Sequence, residues 1–165
     1  MIGACLVTPV LPEAATEKDR IEYFFAQTAE KAEITASSDG TWTLRLTGVD
    51  LDIIWFADRP SRDMGRISKE QFIKNWKTGV DPFDKNPPNA AIELHDASGK
   101  NLLITVTLMS MTPDGEDLIY RIRPLEAMKL GLALQGRTGE ELSEIPLGSF
   151  SSPVLFIDGH GCIRV

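Results

Sequence analysis

Cysteine and histidine are both scarce: the 165 residues hold Cys5 and Cys162, His95 and His160. A structural zinc site ordinarily takes four such ligands, and neither a CxxC nor an HxxxH spacing occurs. No metal centre and no cofactor are expected. A disulfide between the two terminal segments and a pair of reduced thiols both fit the spacing, and free thiols are the simpler reading. Apolar runs fall well short of the ~20 residues that cross a bilayer, so no transmembrane segment is expected. The start of the chain lacks the basic, then apolar, pattern of a secretory leader. Ile2-Gly3-Ala4-Cys5 resembles the tail of a lipoprotein cleavage site without the segment that precedes one, and is read as chance. Basic charge is in deficit, 17 Lys and Arg against 24 Asp and Glu, a formal net of -7. Sequence-independent nucleic-acid binding draws on Lys and Arg, so nucleic acid is not an expected partner.

What remains is the composition of an ordinary globular domain, 42% hydrophobic and 25% charged. Residues 1–20 read as a polar lead-in and residues 21–165 as a single domain. Residues 16–32 admit two readings. Ile21, Phe24, Phe25 and Thr28 recur at helical spacing, whereas Ile21, Tyr23, Phe25 and Gln27 alternate as in a strand; local rules favour helix. Asp39-Gly40 signals a hairpin turn. Residues 41–47 (TWTLRLT) alternate as a half-buried strand. Residues 51–57 (LDIIWFA) are dense in β-branched and aromatic side chains and read as a strand buried on both faces or nearly so.

Residues 68–76 carry the strong helix signature: Ser68 and Gln71 stand at capping-box spacing, and Phe72, Ile73 and Trp76 share a face. Proline-bearing residues 80–89 read as loop. Strands follow at 90–95, at 102–109 with Leu102, Ile104, Val106 and Leu108 inward, and at 117–123 with Leu118, Tyr120 and Ile122 inward. Residues 125–148 read as a long connection, and 154–157 with 162–165 as a hairpin. Short strands at about ten-residue spacing indicate an antiparallel β-sandwich or a related barrel; the sandwich, immunoglobulin-like or related, with one short α-helix is the expected form.

Several groups occur together in order: residues 23–32 (YFFAQTAEKA), Gly48, Trp55-Phe56-Ala57-Asp58-Arg59-Pro60, Gly65, Phe72, Trp76, Pro88-Asn89-Ala90 and Leu155-Phe156-Ile157-Asp158. This set resembles a bacterial family of small, mostly secreted proteins of unknown function with a W/Y-F-x-DRP … PPNA … FID pattern. The resemblance covers roughly residues 21–123 and the closing FID. It brings no assigned activity, cofactor or catalytic residue. It implies that residues 23–30 form a strand, against the local helix signal, and that the protein is exported to the periplasm or beyond, although no complete signal peptide is present.

The sharpest candidate is the loop at 58–66, which carries Arg59, Arg62 and Arg66. Loops on rigid scaffolds often carry function, and guanidinium forks bind carboxylate, phosphate or sulfate. Arg59, held beside Pro60, is expected to pair with an internal carboxylate such as Asp58, Asp63 or Asp84. Arg62 and Arg66 are left to form a positive patch for an anionic ligand. Asn89 either satisfies loop backbone or lines a groove shared with the arginines. His95 beside Asp96 has the residue types of a general-base pair, but no GxSxG or activated cysteine accompanies it; a turn-facing polar pair is the simpler role. Asp158, His160 and Cys162 alternate across a turn and read as a bulge rather than a metal site. Trp42, Trp55 and Trp76 lie in apolar patterns and read as core.

The expected function is a non-catalytic binding or protein-interaction module. Its partner would be an unknown protein, a second copy of the chain, or an anionic small molecule. The rival is an enzyme acting on an anionic substrate at the Arg-rich loop, which requires a pocket holding an acid–base pair beside Arg59 or Arg62.

Overall fold

The computed structural model describes residues 22–79, 81–125, 140–141 and 144–159. Cys5, Cys162 and His160 lie outside the described residues, as does the expected strand at 162–165. The described chain is nearly all antiparallel β with one short helix. The strands are β1 (Tyr23–Ala36), β2 (Trp42–Val49), β3 (Asp52–Ala57), β4 (Met64–Ser68), β5 (Asn89–His95), β6 (Asn101–Asp114), β7 (Asp117–Pro124), β8 (Glu140–Glu141) and β9 (Gly148–Gly159); α1 (Lys69–Asn75) follows β4.

The sheet closes on itself rather than dividing into a clear sandwich. The strand order β2-β7-β6-β5-β9-β1 is closed by a further pairing of β1 with β2, so six strands make a barrel. Closure removes the open edges that two separate sheets would leave. The length of β1 makes it possible. One edge of β1 runs along β9 from Tyr23 to Ile34, while the other pairs with β3 over Tyr23 to Ala26 and with β2 over Ala29 to Ala36. β3 and β4 therefore extend the sheet beyond the barrel as a two-stranded wing.

β1 is a strand, and the reason its sequence resembles a helix is visible in its burial. Phe25 and Gln27 face inward, but further along it is Ala32 and Ile34 that do. The inward phase slips by one residue between them. β9 slips in the same stretch, where Ser152 takes a left-handed φ of 46° and the inward positions change from Phe150 to Leu155 and Ile157. Paired slips leave the register intact and break the simple alternation on which strand reading depends.

β3 is not buried on both faces. Ile53 and Ala57 are buried, while Ile54 and Phe56 are exposed. β4 lies in what read as loop before the helix. Gly65 has no side chain there because the Trp55 indole crosses it: a Cβ would stand 2.9 Å from Trp55 Cζ2.

The helix starts as its sequence predicts. Ser68 Oγ accepts from the Gln71 backbone N–H at 3.2 Å. The capping box is not reciprocal, because the Gln71 carboxamide instead donates to Asn75 at 2.7 Å. Phe72 and Trp76 enter the core, with ring centroids 5.5 Å from Phe25 (Phe72), and 5.0 Å from Phe83 and 5.7 Å from Tyr120 (both Trp76). Around this aromatic group, Ile92, Leu94, Ile104, Val106, Leu108, Leu118 and Ile122 fill the barrel. Trp42 and Trp55 are partly buried against the same core.

Candidate functional site

The ladder lines up one residue from each of five strands. Asn89 of β5 stands opposite Asp158 of β9, Asp158 opposite Phe24 of β1, Phe24 opposite Phe56 of β3, and Phe56 opposite Met64 of β4. Directly opposed residues share a face, and this row alternates with the buried one that holds Phe25 and Ile157. It therefore faces outward. The next outward row reads Ala91, Phe156, Ala26, Ile54 and Arg66.

Together these two rows set large apolar side chains in water on the outer face of β9, β1, β3 and β4. Ile54 is 52% exposed, Phe56 42%, Met64 78% and Phe156 48%. Phe24 and Phe56 stack with centroids 5.3 Å apart and planes 19° from parallel, stiffening the middle of the face.

The β3–β4 loop borders this surface. Its ends are tied by Ala57 N–H donating to Asp63 carbonyl at 2.8 Å and Asp58 N–H to Glu22 carbonyl at 2.8 Å. Ser61 Oγ donates to the Asp63 carboxylate at 2.7 Å. The Arg59–Pro60 peptide is cis, and Arg62 holds a φ of 56°, a left-handed conformation uncommon outside glycine.

The arginines depart from expectation in two ways. Arg59 is exposed and makes no ion pair among the described residues, so it is not tied to an internal carboxylate. Arg66, expected to be free, has Nη1 3.8 Å from Asp52 Oδ2, with both side chains largely in solvent. At that separation and exposure the pair contributes little. The charge in and beside the loop is mixed. Asp58 and Asp63 share it with the arginines, and Asp52 sits beside Arg66, so three anions accompany three cations.

Asn89 and the arginines do not share a groove. The row that contains Asn89 reaches β4 only after crossing β9, β1 and β3, four strand spacings or roughly 19 Å along the sheet. Asn89 Oδ1 accepts from Thr107 Oγ1 at 3.1 Å. With Asp158 it lines a cavity of about 100 Å³ walled by Phe83, Asn86, Pro87 and Pro88. None of the three arginines lines it.

His95 and Asp96 do not act as a pair. Asp96 Oδ1 accepts from the Ser98 backbone N–H, the Ser98 hydroxyl and the Lys100 N–H, which shapes the β5–β6 turn. The Ser98 hydroxyl, helped by the Lys100 N–H, holds this carboxyl below its ordinary value. Among the described residues no cluster of His, Cys, Asp and Glu could hold a metal ion, and no helix is long and apolar enough to cross a membrane.

Sequence reasoning found the loop but missed the surface beside it. In the run IIWFA every residue is apolar, so nothing local distinguishes inward Ile53 from outward Ile54. Met64, in a polar stretch between Asp63 and Gly65, was the one local signal that an apolar side chain lay outside the core. Comparison of the chain with models of protein families, with curated proteins and with solved structures finds no match in any of the three.

Proposed function

We propose that this chain is a binding module for a protein partner. Its contact surface is the outer face of β9, β1, β3 and β4, bordered by the loop that carries Arg59 and Arg62. The observation that carries this reading is the contiguous exposure of Ile54, Phe56, Met64 and Phe156. A patch of this kind is the size of the largest apolar patch on a typical monomer, which is often a contact site. The arrangement also has the anatomy of an interface, with aromatic and aliphatic groups at the centre and charged groups at the rim. Arg59 and Arg62, without ion pairs among the described residues, are available to a partner's carboxylates.

The test is site-specific photo-crosslinking. A benzophenone side chain at position 64 should capture one defined polypeptide, and Phe56→Asp should abolish that capture. The same group at Thr35, exposed near the far end of β1, should capture nothing comparable. Equal capture at both positions, or capture at 64 indifferent to Phe56→Asp, rejects this surface as the binding site.

A further inference from the structure

Resting on that reading of the surface, we infer that its occupant is a second copy of this chain, related by a twofold axis lying between two such faces. Two features of the face select this partner: its area and its charge.

Ile54, Phe56, Met64 and Phe156 together leave on the order of 400 Å² of apolar surface in water, taking about 200 Å² for each large side chain at the exposures above. That is about half of the roughly 800 Å² that each partner contributes to a stable interface of standard size, the remainder falling to the polar rim.

Charge argues next. The rim mixes signs, with Arg59, Arg62 and Arg66 among Asp52, Asp58 and Asp63 and with Glu22 tied to the loop, so it offers no single-sign field for a strongly acidic or basic partner. A surface that holds both signs can be matched by its own twofold image, as an isologous contact requires. A pleated face of Ile, Phe and Met also packs on another such face at the ~10 Å spacing of stacked sheets.

The contact is face to face rather than edge to edge. β4 ends the strand order, but antiparallel pairing of two β4 strands about their central Arg66 would oppose two guanidinium groups.

Sedimentation velocity from about 1 µM to about 200 µM reads dissociation constants across the micromolar range. The expected result is a reversible monomer–dimer equilibrium. Met64→Asp and Ile54→Asp, on different strands and both pointing outward, should each weaken it at least about tenfold. Leu147→Asp, exposed but ahead of β9, should leave it unchanged. Far-UV circular dichroism should be the same for all variants. The benzophenone at position 64 gives a second readout that disturbs no core residue: a covalent dimer of the purified protein. A monomer at every concentration, or a dimer indifferent to both variants, overturns the inference. If the protein stays monomeric while position 64 captures a different polypeptide in a Phe56-dependent way, the second copy is excluded and the surface stands. If position 64 captures nothing, both fall.

Discussion

A polar pair is sealed inside the barrel. The Tyr120 hydroxyl donates to Gln27 Oε1 at 2.7 Å, and neither residue is exposed to solvent. Burial pushes the hydroxyl above its ordinary 10.0, opposed by its hydrogen bond to Gln27. Because the folded value lies above the unfolded one, the unfolded chain ionises first as pH rises. Stability is undiminished below pH 10.0 and falls as pH rises beyond it. Tyr120→Phe should flatten this alkaline slope. It should also cost about 1–3 kcal/mol at neutral pH, because the Gln27 carboxamide then lacks its partner in the core. Gln27 Nε2 is already without a hydrogen bond, so adding Gln27→Leu to Tyr120→Phe should recover most of that loss. Urea unfolding of both variants at neutral pH and above pH 10 measures each effect. A single variant as stable as the parent would show that the pair carries nothing.

At the scale of elements, α1 shows how little of a short helix's stability is its own. Seven residues form too few turns to persist alone in water. What holds them is the insertion of Phe72 and Trp76 among Phe25, Phe83 and Tyr120. Trp76→Ala should therefore cost ~3–5 kcal/mol in chemical denaturation, the range for removing a large buried aromatic. A loss under about 1 kcal/mol would mean that the pocket closes over the vacancy. This helix was legible in the sequence because its signals are local: a Ser68 cap and apolar residues at helical spacing. Strands β2, β6 and β7 were legible for the same reason, since each alternates over most of its length. β1 was not, because its inward phase changes partway along and only pairing with β9, β3 and β2 fixes it as a strand. β4 was invisible, as Met64 to Ser68 alternates no better than a loop and depends on Trp55 lying over Gly65. Sandwich and barrel both fit the adjacent-strand patterns, and choosing between them depends on which strands β1 pairs with. The candidate site divides along similar lines. The arginines stood out by their crowding, while the apolar face required knowing which side of β3 meets the barrel.

For the whole molecule, the two candidate uses of the arginine-bordered face respond to salt with opposite signs. An anion held by Arg59, Arg62 or Arg66 would be attracted through charge–charge contacts that are largely in water, and added salt screens these. Two copies of a chain of net charge -7 repel one another at a distance. Their contact joins apolar side chains within a rim of mixed charge. Screening therefore removes long-range repulsion while leaving the apolar contact in place, so self-association should tighten as salt rises from about 20 mM, where the Debye length exceeds 20 Å, to about 300 mM, where it falls below 8 Å. Neutralising one cation tests the same balance. Arg62→Ala should barely change the melting temperature, since Arg62 makes no ion pair among the described residues. It also makes each copy more negative, which should steepen the salt dependence. Sedimentation of parent and variant across that range reads both effects. Association that weakens with salt would place charge attraction, rather than the apolar face formed by Ile54, Phe56, Met64 and Phe156, at the centre of what this protein binds.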